Sequence, residues 1–357
     1  MSRLKIAVVG VGALGRHHAR ILSELVDADL VAVADINPES GNVVAREFRT
    51  KWIADYRELL NQVDAVTIAV PTTSHLTVAA DFLQRRIPVL VEKPLASNVE
   101  QAAQLVLLAE NNQTLLQVGH IERFNPATQA AWKLCGPPKY IRAERLSPYV
   151  FRSTDIGVVH DLMIHDLDLV LDLVDSPIRH IEAFGVSILG GYEDSVQARI
   201  HFENGCLADL TANRVSPIAR RSMQIWSHAG CVTVDFSSRE VVGYSPADTL
   251  LYGTSPLVRA KQPDADIEQL KQDVFGTFLK VTRPSVPQHD ALAAELESFI
   301  GCVLRSENPL VDGRQALWAM RVAEKVLDRV ATHQWDSQAD GLIGPHVHTV
   351  GQRKKAG

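Results

Sequence analysis

Cysteine is scarce in this chain: four in 357 residues. Cys135, Cys206, Cys231 and Cys302 stand far apart, with no CxxC pair and no zinc-ligand spacing. Neither a disulfide framework nor a metal site is therefore expected, and buried thiols in a reducing cytoplasm are. A basic excess is also missing. Lys and Arg number 36 against 42 Asp and Glu, a net charge of −6, which speaks against nucleic acid or a membrane surface as partner. No apolar run reaches the ~18 residues of a membrane-spanning helix. A strand pattern begins almost at the first residue and leaves no room for a signal peptide. There is no internal repeat and no low-complexity segment. What remains is a chain with 46% hydrophobic and 22% charged residues, long enough for two domains.

The chain is organised around its start. Ile6-Ala7-Val8-Val9 is followed by Gly10-Val11-Gly12-Ala13-Leu14-Gly15, an apolar-periodic run to Leu25, and a second run, Leu30 to Ala34, that ends in Asp35. That is strand, glycine turn, helix, strand, acid. Gly10 allows the tight turn, Gly12 lets a pyrophosphate approach the backbone, and Gly15 lets the helix pack on the strand. The phosphates would lie on free N–H groups at the positive end of the helix dipole. Asp35 stands about 20 residues on, where a carboxylate accepts the ribose hydroxyls. Its charge opposes a 2′-phosphate, so NAD is expected over NADP. Gly10, Gly12, Ala13, Leu14, Gly15 and Asp35 form the core of this cofactor site.

Further on, helical and strand patterns alternate to Val118, and most strands are apolar on both faces. This predicts a doubly wound parallel sheet covered on both sides by helices, an α/β Rossmann domain over residues 1–121. Polar residues gather where the strands end: Pro71-Thr72-Thr73-Ser74-His75, Glu92-Lys93-Pro94 and Gly119 to Arg123. Ligands of such sheets bind there, which adds Pro71, Thr72, His75, Glu92 and Lys93 to the cofactor site. Residues 122–335 read as an α+β domain for substrate binding and oligomerisation. Alternating stretches at Tyr140–Leu146, His180–Leu189, Val196–Phe202, Cys206–Arg214, Ser222–Ser227 and Gly230–Phe236 predict an open, mostly antiparallel sheet. A helix spans about Asp161 to Val174, and two amphipathic helices span Asp290–Arg305 and Gly313–Ala331. Residues 245–284 carry no clear pattern, and 336–357 read as a flexible tail.

These residues resemble the glucose–fructose oxidoreductase, inositol dehydrogenase and MocA family. The resemblance lies in Gly15-Arg16 with His18-Ala19, in Pro71 with His75, in Glu92-Lys93-Pro94, and in Asp161 with His165. It implies an NAD-dependent dehydrogenase. Taking hydride from a carbinol carbon also requires the hydroxyl proton to leave, hence a base titrating near neutrality and a cation by the developing alkoxide. The resemblance makes His165 that base, Lys93 that cation, and Asp161, one helical turn before His165, a partner for either ring or substrate. Taken alone, Lys93 reads as a solvated lysine and Asp161 with His165 as a helix-surface pair. His160-Asp161 and His165-Asp166 also admit a rival reading as hydrolase metal ligands. His17 and His18 read as structural or surface residues.

The stretch Gly119 to Ala127, Arg145-Leu146-Ser147-Pro148 and Arg152 resemble a subgroup acting on nucleotide-linked amino sugars, typified by UDP-N-acetylglucosamine 3-dehydrogenase. Glu122, Arg123, Asn125 and Arg152, with Asp161 and His165, are the substrate residues so implied. A diphosphate needs forked cations, which Arg123, Arg142, Arg145 and Arg152 can supply. Singly, each is as well explained by pairing with a nearby acid. A simple sugar or polyol is the second substrate class, and a dinucleotide-sensing regulator without catalysis is the alternative of another kind. The open face of the second sheet is expected to carry apolar and aromatic positions, a large exposed patch that needs a partner, so a homodimer or homotetramer through that face is expected; a pathway aminotransferase is a possible further partner.

Overall fold

A computed structural model describes residues 3–151, 156–336 and 339–345. In chain order it begins β1 (Leu4–Val9), α1 (Ala13–Glu24), β2 (Ala28–Ala34), α2 (Pro38–Glu47), β3 (Lys51–Ile53), β4 (Ala65–Ile68), α3 (His75–Gln84), β5 (Val89–Glu92), α4 (Val99–Asn111) and β6 (Leu116–Gly119). The six strands form a parallel sheet in the order β3-β2-β1-β4-β5-β6. Every residue of β4, β5 and β6 is buried, as a sheet with helices on both faces requires. The strand order reverses between β1 and β4, which is where ligands of such sheets sit.

Next come α5 (Pro126–Leu134), β7 (Pro138–Leu146), α6 (Ile164–Val174), β8 (Ile178–Val186), β9 (Ser195–Phe202), β10 (Leu207–Asn213), β11 (Arg220–Ser227), β12 (Gly230–Asp235) and β13 (Glu240–Pro246). Three short helices, α7 (Asp248–Leu251), α8 (Pro256–Arg259) and α9 (Ile267–Asp273), lead to β14 (Leu279–Thr282). The second sheet has eight strands, β14-β13-β12-β11-β7-β10-β9-β8, all antiparallel except β7 with β10. The six strands expected are present. β13 and β14 are additional; β14 and the last two residues of β13 lie in the stretch that carried no clear pattern. α5 was also unexpected, although Asn125 and Pro126 mark its start: Asn125 caps the amide of Ala127, and Pro126 takes the first turn.

The last two long helices are α10 (Ala291–Arg305) and α11 (Gly313–Thr332). By contacts the chain forms two units, 1–124 with 289–324, and 125–288 with 325–357. The first unit is interrupted after Phe124, and 289–324 groups with it rather than with the residues around it in sequence. The reason is apolar: Leu292, Leu296, Phe299 and Ile300 of α10 join Ile6, Val8, Leu22, Val33 and Leu90 in one core. After α11 the chain pairs Gln334–Asp336 with Ala339–Asp340, Trp335 donates to the carbonyl of Gly341 (2.8 Å), and Ile343 bridges Val186. So residues 339–345 of the expected flexible tail are placed by backbone pairing, and 346–357 lie outside the described residues.

Candidate active site

Within the first unit the predicted cofactor residues gather at the carboxyl end of the sheet. Gly10 has φ +83°, and a Cβ there would lie 2.8 Å from the Ala69 backbone; a Cβ on Gly15 would lie 1.8 Å from the Gly10 carbonyl oxygen. Nothing lies within 4 Å of a Cβ built on Gly12. The motif's two packing glycines and its open glycine are thus distinguished by what surrounds them. α1 has Gly12 as its N-cap, so no side chain caps it, and its first turn carries no acid. Asn37, Asn98 and Asp290, by contrast, cap α2, α4 and α10. The first-turn amides of α1, beside exposed Gly12, Ala13 and Leu14, are placed to receive an anion.

Asp35 follows β2. One carboxylate oxygen accepts from the Val11 amide (2.8 Å) and the other from the Asn37 amide (2.8 Å). It therefore ties the glycine turn to the end of β2, and each oxygen keeps a further lone pair for a hydroxyl. Pro71 and Thr72 open the turn after β4, with Pro71 exposed and Thr72 half-buried. His75 is buried and its two ring nitrogens lie 3.0 Å from the Pro94 carbonyl and 2.9 Å from the Val70 carbonyl. Burial lowers its pKa, and the two carbonyls oppose that shift without overcoming it. His75 thus joins the β4 turn to the Glu92-Lys93-Pro94 turn and offers its nitrogens to backbone. Glu92 is buried, Lys93 is half-buried, and the Lys93–Pro94 peptide is cis. Glu92 meets His18 Nε2 at 2.9 Å, so of the structural and surface roles open to His18 the buried ring takes the structural one.

Glu122 and Arg123 are buried in the first unit, in the short 3-10 turn Ile121–Phe124. The turn packs against α10, and Arg123 donates to the Leu310 carbonyl at 3.4 Å.

In the second unit, Asp161 and His165 flank the junction between a π-helical turn, Val159–Met163, and α6. Such turns recur at functional sites. Both residues are half-buried. The segment is held by residues that the sequence did not single out. Glu193 accepts from the Val159 amide at 3.2 Å. Arg214 donates to Asp194 (2.8 Å) and to the Ile156 carbonyl (2.6 Å). Arg145 grips Asp166 with two bonds, 3.2 and 2.8 Å, between side chains that are each 3% exposed. Arg145 is therefore a brace for α6 and not a cation offered to a diphosphate. Asp166, with both oxygens bonded to Arg145, is correspondingly ill-suited to the rival metal reading. Arg142 pairs with Glu144 on the sheet's outer face. Asn125 caps α5 and also donates to the Phe236 carbonyl at 3.4 Å. Arg152 lies outside the described residues. Among the described residues no group of three or more His, Cys, Asp or Glu could hold a metal ion, and no helix is long and apolar enough to cross a membrane.

Comparison with known proteins identifies the family. Residues 4–120 match the profile described as "Oxidoreductase family, NAD-binding Rossmann fold", and residues 129–233 that of the "GFO/IDH/MocA C-terminal domain". UDP-N-acetylglucosamine 3-dehydrogenase of Acidithiobacillus ferrooxidans is 33% identical over 314 residues, 88% of this chain and 93% of that protein. A solved structure of that enzyme superposes with a TM-score of 0.81 at 32% identity, covering 92% of this chain and 98% of the other. The scyllo-inositol 2-dehydrogenase (NAD(+)) of Bacillus subtilis is 28% identical, covering 87% of this chain and 89% of that protein.

Proposed function

The chain belongs to the GFO/IDH/MocA family of oxidoreductases, and on that premise we propose that it oxidises a secondary hydroxyl of a nucleotide-linked amino sugar, with NAD as hydride acceptor. The observation that carries the substrate class is the likeness to UDP-N-acetylglucosamine 3-dehydrogenase along 88% of the chain. NAD would supply an electrophilic nicotinamide carbon to take the hydride. The chain's residues do the rest. Amides at the start of α1, which no side chain caps, bind the pyrophosphate, and Asp35 accepts the ribose hydroxyls. His165 takes the hydroxyl proton, Lys93 offsets charge developing on the oxygen, and Asp161 orients the imidazole or the substrate. Glu122, Arg123, Asn125 and Arg152 bind the substrate. The keto product is the kind of group an aminotransferase consumes. Four thiols without disulfide partners, three of them buried, suit a reducing cytoplasm.

The test is reduced-cofactor absorbance with NAD and a panel of UDP-sugars, free sugars and inositols. UDP-N-acetylglucosamine should be turned over best; turnover of an inositol alone would move the assignment to the polyol class, which the Bacillus subtilis relative represents. Silence across the panel together with tight NAD binding would favour a regulator. NAD should bind more tightly than NADP, because Asp35 opposes a 2′-phosphate and the neighbouring Ile36 and Asn37 supply no cation. Equal calorimetric affinities would remove Asp35 from the ribose.

A further inference from the structure

Lys93 directly follows Glu92, the last residue of β5, and near Glu92 is a buried carboxyl to which the chemistry above assigns no role. Glu295 of α10 is 0% exposed, and neither of its carboxyl oxygens makes a hydrogen bond. Beside it stands Glu92, 8% exposed, whose Oε1 is 2.9 Å from His18 Nε2. The Glu92 carboxyl packs so closely on Gly119 that a Cβ there would lie 2.9 Å from Oε2. Gln117 of β6 donates to the Glu295 backbone carbonyl at 3.2 Å. Thus α1, β5, β6 and α10 all contribute to one buried polar group. On these elements and directly after β5 and β6, the buried or half-buried ionisable residues beside Glu295 are His18, Glu92, Lys93, His120, Glu122, Arg123 and Cys302, with half-buried Arg20 paired to exposed Asp290 at 3.6 Å; Arg16, His17, Glu24, Glu297 and Arg305 are exposed.

Two ionised carboxyls cannot both be stable here. A buried carboxylate with no bonded cation is costly, and a like charge beside it adds to the cost. One proton therefore stays on the pair. Glu92 has an imidazole nitrogen at hydrogen-bonding distance and Glu295 has no such partner, so the proton belongs on Glu295. Burial, and then the charge of Glu92, hold the Glu295 carboxyl well above the usual carboxylate range.

We propose that Glu295 is a buried neutral acid and a positioning residue, which packs uncharged against the end of β5 and so sets the placement of Lys93. The proposal rests on the reading of Lys93 as the cation at the reacting hydroxyl. Its experiment has two arms, on the full-length protein.

The first arm is thermal and needs no substrate. The unfolded chain ionises this carboxyl above about pH 4.3, while the fold keeps it protonated. Its contribution to stability is full below that pH and declines as pH rises toward the folded value. Glu295→Gln cannot ionise, so its melting temperature should gain on the wild type steadily from about pH 5 upward. A gap that stays constant with pH means Glu295 is ionised in the fold, and overturns the proposal.

The second arm is kinetic, with UDP-N-acetylglucosamine and NAD. Glu295→Leu, an apolar replacement that such sites commonly tolerate in folding, should lower kcat on the order of tenfold to a hundredfold, the scale of a misplaced group, with calorimetric NAD affinity retained. Glu295→Gln, the neutral isostere, should recover most of that loss. If Gln is as poor as Leu, an ionised carboxylate is required; if Leu is as active as wild type, Glu295 positions nothing; either outcome overturns the proposal. A wild type inactive on the whole sugar panel would overturn the dehydrogenase reading and the positioning role together, while the thermal arm would still decide the charge of Glu295.

Discussion

At the end of β5, Lys93 follows a carboxylate, Glu92, that is engaged by His18, and its removal should be felt in chemistry and not in cofactor binding. Lys93→Ala and His165→Ala are each expected to lower turnover by about 10²–10⁴-fold while calorimetric NAD affinity changes little. Near-normal single-turnover rates in either variant would dismiss that residue's role. Loss of NAD binding in His165→Ala would move the acid–base assignment elsewhere, first to Lys93. His120 makes a different prediction. It is 1% exposed, and burial, then Lys93 and Arg123, push its pKa down to about 3. The unfolded ring protonates near pH 6.5 and the folded one does not. The stability it contributes is therefore present above that pH and is lost as pH falls, by at most about 1.4 kcal/mol per unit. His120→Gln should flatten the loss of stability between about pH 6.5 and 4, read by urea unfolding; an unchanged slope would mean that the ring is protonated in the fold.

Among the elements, α6 shows most clearly what local pattern conveys. Its apolar spacing was legible from Asp161 to Val174, and the helix is there. The π turn at Val159–Met163 was not; its first amide, Val159, is held by Glu193, which lies 34 residues away. The brace from β7 was likewise unreadable. Arg145 looked equally fit for a phosphate or an acid until the fold placed Asp166 opposite it. Arg145→Ala should cost about 3–5 kcal/mol, since it leaves a buried carboxylate without its cation. A loss below about 1 kcal/mol in urea unfolding would mean that water replaces the guanidinium. α5 had a legible start in Asn125-Pro126. The strands β13 and β14 had none: β14 has four residues, none of them buried, and the short helices between the two strands bury no residue, so no apolar period marks them.

For the whole molecule, the outer face of the second sheet departs from expectation. It was read as apolar and aromatic, yet Arg199 pairs with Asp209, and Arg142 and Arg220 both pair with Glu144. Among these paired charges Phe184 and Trp226 stand 38% and 48% exposed. A face whose charges already neutralise one another, and which still presents aromatic area, can accept a second copy of itself without burying a lone charge. We therefore expect a dimer or tetramer, with light scattering giving a multiple of 39.3 kDa. Phe184→Glu with Trp226→Glu should reduce that mass. A monomer mass at micromolar concentration for the wild type would sink the idea.

The sequence alone determined the first domain's sheet, its glycine turn and the acid after β2. These are local matters: strand periodicity, a positive φ at Gly10 and a fixed count of residues to Asp35 all lie within one stretch of chain. The family was legible for the same reason, in short motifs such as Glu92-Lys93-Pro94. Tertiary structure decided what depends on distant residues meeting. It returned α10 to the first unit, because Phe299 and Leu296 complete a core begun by Ile6 and Val8. It set Arg145 on Asp166, and it buried Glu295 beside Glu92. Charge pairing and desolvation depend on distances through space, and nothing in the order of residues encodes a neighbour 203 positions along the chain.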